Sequence, residues 1–220
     1  MIGRGAAWGV PVPDGAGPVL EVAGGDSDLA AAAVRAPEGS LLRFLPDPDA
    51  DFARALGIGP GGGPGHTMAV CDLLDLGGAT AAVNAVVSGV APDRLRARHR
   101  RRPVRVEVDG RTVFDGCATT VVVANGQFLR GADLVPRGHP GDGRAEVQVY
   151  ALPRGERRAL RDRLRTGGHV PHPRITQASG ARIVLRWGRG AMPFEVDGRP
   201  GRPTPVIEVA VRQGALRVRI

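Results

Sequence analysis

From about Leu76 to the C-terminus the chain is a succession of short runs rich in valine, isoleucine and threonine, each closed by a turn signal. Candidate strands are TAAVNAVV (80–87), PVRVEVDG (103–110), ATTVVVANG (118–126), RAEVQVYAL (144–152), ARIVLRW (181–187), MPFEVDG (192–198), PVIEVAVRQG (205–214) and ALRVRI (215–220). PVRVEVDG alternates apolar and polar positions, the period of a strand with one buried face. Many short strands joined by tight turns build a sandwich or a barrel, because no single sheet can bury its own apolar face. One helix interrupts them: RGERRALRDRLRTGG (154–168) is arginine-rich, exposed and ended by glycines.

The N-terminal third has another rhythm. Residues 18–23 (PVLEVA) are expected to form a strand and Asp28–Val34 a helix that Asp26 or Ser27 could cap. LLRFL (41–45) is a second strand, and DFARAL (51–56) a second helix stopped by Gly57. Two strand–turn–helix units in succession predict parallel strands. GIGPGGGPGH (57–66) is expected to be a surface loop and MAVCDLLDL (68–76) a weaker helix. The predicted fold class is therefore α+β, a small α/β domain with parallel strands over 1–74 and a β-rich domain over 75–220.

All 30 basic residues are arginine. A P-loop lysine and a Schiff-base lysine are thereby excluded. Arginine in place of lysine, with 33 Gly and 19 Pro, is also the mark of a GC-rich genome, so the net charge of +8 is discounted as a sign of nucleic-acid binding. Cys71 and Cys117 lie far apart in no metal-ligand spacing, which suits a reducing compartment. No apolar run approaches the ~20 residues of a membrane span. MIGRGAAWGVPVPDGAGP, broken by Gly and Pro, makes no signal peptide, and the expectation is a cytoplasmic protein.

VLEVAGGDSDLAAAAV (19–34) carries the strongest local signal: a β-branched run, two glycines, then an alanine-rich helix. Backbone N–H groups at such a turn can cradle a phosphate. GGDSD (24–28) resembles the GGDGT of the diacylglycerol kinase and sphingosine kinase-like lipid kinases, and LLRFLPDPDADFARALGI (41–58) resembles their LGIIPLGTGNDFARALGI. DLG (75–77), VVVANGQFLRGADLVPRGHPGDGRAEV (121–147), GGHVPHPRI (167–175) and FEVDGRP (194–200) resemble further motifs of that family, in family order. The resemblance implies an N-terminal nucleotide-type α/β domain, a C-terminal β-sandwich, and transfer of the ATP γ-phosphoryl group to a lipid hydroxyl with Mg²⁺. It implies Gly24, Gly25, Asp26, Ser27, Asp49 and Asp51 as nucleotide-binding positions, Asp197 as general base, and Asp26, Asp28 and Asp142 as metal positions.

The departures argue against ATP binding. Ser27 and Asp28 stand where the family has Gly and Thr, Pro46-Asp47-Pro48-Asp49-Ala50 replaces PLGTGN, and Arg199 replaces the glutamate of VDGE. Leu129-Arg130-Gly131 replaces GGG, and the family's first βα units have no counterpart before GGDSD. Loops following parallel strands share one sheet edge, so Asp26, Asp28, Asp47, Asp49 and Asp51 should form one acidic rim. Two unit charges ~4 Å apart near a surface interact by roughly 4 kcal/mol, and a triphosphate would meet several such repulsions. The preferred expectation is a weak or inactive lipid-kinase homologue binding a lipid, metabolite or protein. An active Mg²⁺-dependent lipid kinase and a basic nucleic-acid module are the alternatives.

Blander readings stand beside these. Asp26, Ser27, Asp49 and Asp51 serve equally well as helix caps. Asp109-Gly110, Asp115-Gly116 and Asp142-Gly143 are ordinary turn dipeptides. His169 and His172 have no third ligand and suit a loop. DRLRARHRRRPVRV (93–106) admits three readings: a site for anionic lipid headgroups, a site for nucleic-acid backbone, or a solvated loop. Aromatic residues make up 4% of the chain and none alternates with these arginines, which weakens a single-strand stacking model. A sheet edge left bare by the missing βα units would invite a second copy or a partner chain.

Overall fold

The computed structural model describes residues 9–13, 17–62 and 66–220. The N-terminal stretch read for a signal peptide and the glycine-rich loop at 57–66 lie partly outside the described residues. The main elements are β1 (Val19–Gly24), α1 (Asp26–Arg35), β2 (Leu41–Pro46), α2 (Asp51–Leu56), β3 (Thr67–Asp75), β4 (Ala85–Gly89), β5 (Arg102–Val108) and β6 (Arg111–Ala118). They continue with β7 (Thr120–Ala124), β8 (Ala145–Tyr150), α3 (Arg157–Leu164), β9 (Ile175–Gly180), β10 (Arg182–Trp187), β11 (Phe194–Val196) and β12 (Val206–Arg219).

Two sheets face each other. The six-stranded sheet runs β9-β8-β7-β4-β11 and ends on the short strand Arg199–Pro200, antiparallel throughout. Val86, Val121, Val123, Val147 and Val149 on its inner face meet Val106, Ile183, Leu185, Trp187 and Val209 of the nine-stranded sheet. Burying one such aliphatic side chain contributes about 1.5–3 kcal/mol. The single indole donor in this layer is satisfied, Trp187 Nε1–H donating to Ser88 Oγ at 2.9 Å. The outer face of the six-stranded sheet is covered as well: Val122 and Tyr150 pack under Leu95, Leu160 and Leu164 from a loop and α3. A strand buried on both faces has no polar side to show, so TVVVA reads as an unbroken apolar run.

β12 is the spine of the nine-stranded sheet. Its first half pairs antiparallel with β10, which leads on to β5 and β6. Its second half has β3 antiparallel on one side and the start of β2 parallel on the other. The register shifts between Arg212 and Leu216, where Gly214 adopts a left-handed φ of 63° that glycine accommodates without strain. The segments 205–214 and 215–220 are thus one bent strand rather than two.

Several expectations need correcting. An α/β domain with its own parallel sheet does not form. β1 and β2 pair in parallel, yet they are annexed through β12 to a sheet that is otherwise antiparallel. MAVCDLLDL is strand β3, not a helix: its pairing with β12 satisfies the backbone, and Cys71, Leu73 and Leu74 are all buried. A short apolar run carries no period that separates the two states. β6 and β9 were not foreseen. β6 contains Asp115-Gly116, read as a turn, and the mostly polar ITQASG owes its strand to pairing with β8. Among the described residues β1 pairs only with β2, leaving its other side an edge, and Val19 and Leu20 of this strand are exposed.

Candidate functional site

The site lies where the N-terminal loops meet the β11 hairpin. Asp197 and Gly198 form the turn of that hairpin with φ of 46° and 78°, a left-handed pair that Asp-Gly tolerates. The turn carries the Asp197 carboxylate to the start of β4. Oδ2 accepts the Val83 N–H at 2.8 Å, and Oδ1 accepts those of Asn84 and Ala85 at 3.0 and 2.8 Å.

The GGDSD turn is built the same way. Gly24 has φ of 125°, and a Cβ there would stand 2.5 Å from Asp28 Oδ2, so only glycine fits. Asp28 Oδ2 accepts the Gly25 N–H at 3.0 Å, closing the first turn of α1, while its other oxygen pairs with Arg199. Asp26 points the opposite way, and both its oxygens accept the Phe52 N–H at 3.1 Å, tying α1 to the start of α2. Asp51 accepts the N–H groups of Arg130 and Gly131, the latter at 2.8 Å. Arg130 is held in the left-handed region at φ 49°, and its guanidinium pairs with Asp93 at 3.1 Å and with Glu195.

Together these residues line a cleft of about 450 Å³, with Asp26, Ser27, Asp49, Asp51 and Asp197 on its walls beside Asn84, Arg94 and Arg130. Burial pushes the Asp26 carboxyl up to about 8, helped by the neighbouring charges of Asp197 and Asp51 and opposed by the Phe52 N–H. Burial also raises Asp197 to about 6, against the pull of its three N–H donors. Asp197 keeps some solvent exposure as a residue, but its carboxylate is turned inward onto those donors. Asp51 is raised as well, by burial, with the Gly131 and Arg130 N–H groups opposing. At neutral pH the cleft therefore holds a protonated Asp26 next to an ionised Asp197.

Of the positions singled out in the sequence, Gly25, Asp26, Ser27, Asp49, Asp51 and Asp197 meet in this cleft, and Gly24 shapes the turn behind it. Asp28 is directed to Arg199 rather than to Asp26. Asp142 lies elsewhere: it accepts the Arg144 N–H at 3.0 Å beside Asp72, whose carboxylate fastens Gly143 and Gly214 at 2.6 and 2.8 Å to the β12 bulge. Burial raises the Asp72 carboxyl despite those two donors. His169 is buried and stacks on Tyr150, and His172 faces Glu156 at 3.7 Å. Among the described residues no three His, Cys, Asp or Glu side chains are arranged to hold a metal ion. Sequence reasoning missed Asn84, Arg94 and Arg130. The signal for the first was a lone asparagine inside TAAVNAVV, and for the last an arginine where a family glycine was expected.

The model of the YegS C-terminal NAD kinase β-sandwich-like domain matches residues 84–220. No curated protein matches the sequence. Two crystal structures assigned as diacylglycerol kinases from Bacillus anthracis str. Sterne superpose with TM-scores of 0.75 and 0.71, at 16% and 18% identity. Each alignment covers 91% of this chain, and 76% and 75% of those chains respectively. At that identity the likeness concerns the fold. Among the described residues no helix is long and apolar enough to cross a membrane. With its sandwich matched from the start of β4 to the last residue, well over half its length, the chain belongs to the diacylglycerol kinase-like lipid kinase family.

Proposed function

We propose that this family member does not bind ATP phosphates and instead uses its cleft to hold a hydroxyl-bearing lipid or metabolite. The observation that carries the reading is where the backbone donors go. Gly25 N–H is taken by Asp28, Phe52 N–H by Asp26, and the Arg130 and Gly131 N–H groups by Asp51. The first of these is the turn that the motif resemblance assigns to phosphate, and its donor is held by Asp28, which stands where the family has Thr; Asp26 and Asp51 stand at aspartates that the family motifs also carry. The residues present do not fit Mg²⁺-ATP: a phosphate at the GGDSD turn would have to displace the Asp28 carboxylate from the Gly25 N–H, and Asp26 and Asp28 point apart.

The same cleft suits a neutral hydroxyl. Protonated Asp26 donates, ionised Asp197 accepts, and an alcohol needs one of each. A second cavity of about 550 Å³ shares Ser27 with the cleft and is walled by Ala30, Ala31, Phe194, Val196 and Pro200. Its mostly apolar lining offers room for an acyl tail. Thermal unfolding tests the reading: a short-chain diacylglycerol should raise the midpoint and Mg²⁺-ATP should not, since only a ligand selective for the folded state stabilises it. Radiolabelled phosphate appearing in the lipid would overturn it.

A second reading is phosphoryl transfer with Asp197 taking the proton from the lipid hydroxyl. Its support is the Asp197 carboxyl, fixed by three donors and titrating near 6, close to the range of a working general base. Under that reading Asp197→Asn abolishes a measurable phospholipid product.

A further inference from the structure

We propose that the arginines of the loop after β4 and those of α3 form one surface that docks on an anionic phospholipid bilayer, with the candidate cleft at its margin. The two stretches lie about sixty residues apart in sequence, and either alone reads as a solvated run. The structure joins them. Arg157 is buried, and its guanidinium donates to the carbonyls of Arg96 and His99 at 2.8 and 2.6 Å and to that of Leu152 at 3.2 Å. Arg161 donates to the Leu95 carbonyl at 2.7 Å, and Arg101 to that of Ala151 at 3.0 Å. Leu95 is fully buried with Leu160 and Leu164 over the outer face of the six-stranded sheet.

Three arginines, Arg101, Arg157 and Arg161, are thus spent as clips, and the clipped loop holds others outward. On the loop Arg94, Arg96, Arg98 and Arg100 are exposed, as is Arg102 at the start of β5, and on α3 and its flanks Arg154, Arg158, Arg163 and Arg165 are exposed. The acids on these segments offset few of them: Asp93 pairs with Arg130 at 3.1 Å and with Arg94 at 3.8 Å, and Glu156 faces His172, leaving Asp162 as the acidic residue on α3 itself. Arginines held on an ordered loop against a helix need little further ordering to engage phosphates, which guanidinium binds in bidentate fashion.

The choice of a bilayer over nucleic acid follows from two features. The exposed residues of the surface include no aromatic side chain on which a base could stack. Arg94 belongs to the basic loop and also lines the candidate cleft, so a membrane lying against the arginines would present lipid at the cleft mouth. The docking surface stands whether or not the cleft handles ATP, because it is read without any activity.

Vesicle co-sedimentation tests it. The protein should bind phosphatidylcholine vesicles containing phosphatidylglycerol, should not bind phosphatidylcholine alone, and should be released at about 1 M salt, where the screening length falls to about 3 Å. The triple variant Arg96→Gln/Arg98→Gln/Arg100→Gln touches neither the clips nor the cleft and should weaken binding by roughly 100-fold, at about fivefold per arginine. Arg35→Gln/Arg212→Gln/Arg217→Gln removes the same charge elsewhere and should bind as the parent does. Equal losses in the two triples, binding to phosphatidylcholine alone, or no binding at all would overturn the proposal. Displacement from the vesicles by equimolar RNA at the same salt would overturn it in favour of a nucleic-acid partner.

Discussion

The sandwich interlayer and the cleft satisfy the same kind of backbone donor in opposite ways. Between the sheets, strand N–H groups end on the carbonyls of neighbouring strands, and the side chains at the centre, such as Val123, Val147 and Leu185, carry no charge. At the cleft the N–H groups of Gly25, Phe52, Val83, Asn84, Ala85, Arg130 and Gly131 end on aspartate carboxylates. Charged acceptors bind N–H groups more strongly than carbonyls do, but they must be desolvated first. One region is therefore indifferent to protons, and the other holds its loops with groups that titrate.

The largest effect that tests this contrast is in the interlayer. Leu185→Ala should cost about 2–5 kcal/mol in urea unfolding, with the same loss at about pH 5 and about pH 9. A pH-dependent loss would show that the layers are coupled electrostatically to the cleft. Asp26→Asn comes next. The folded carboxyl at about 8 lies above its unfolded value of 3.8, so the folded state binds more protons than the unfolded one in between. Stability from this group is then present below about pH 4, is lost as pH rises toward about 8, and is level above that. Asparagine can still accept the Phe52 N–H, so the variant should lack the decline and exceed the parent by a few kcal/mol at about pH 9. A parallel pH profile for both proteins would mean that Asp26 is not buried as described.

The contrast also explains what the sequence made legible. Alternation in PVRVEVDG and ARIVLRW marks strands with one apolar face, and β5 and β10 lie side by side at the centre of the nine-stranded sheet. The acidic rim was foreseeable in part, because loops at one edge of adjacent parallel strands converge: Asp26, Asp49 and Asp51 line the cleft, while Asp47 is exposed outside it and Asp28 turns to Arg199. What the sequence hid is direction. Asp26 and Asp28 are two positions apart on a helix, about 200° around its axis, so one enters the cleft and the other leaves it. The Arg199 that meets Asp28 is 171 positions away, and no local pattern announces such a pair. β3 was hidden for a related reason: whether MAVCDLLDL becomes strand or helix is decided by the free side of β12, not by the run itself.

Arg199 and Asp28 supply the finest test of the contrast. Their side chains are 64% and 40% exposed, so solvent screens the pair, and Arg199→Gln should cost less than about 1 kcal/mol and nothing measurable at high salt. Asp28→Ala removes the same ion pair and also uncovers the Gly25 N–H at the start of α1, a further loss of about 1 kcal/mol that salt does not screen. The difference between the two variants therefore isolates what the carboxylate does for the backbone. If it vanished, the aspartate would serve only its arginine, and the turn amide would be available to a phosphate after all.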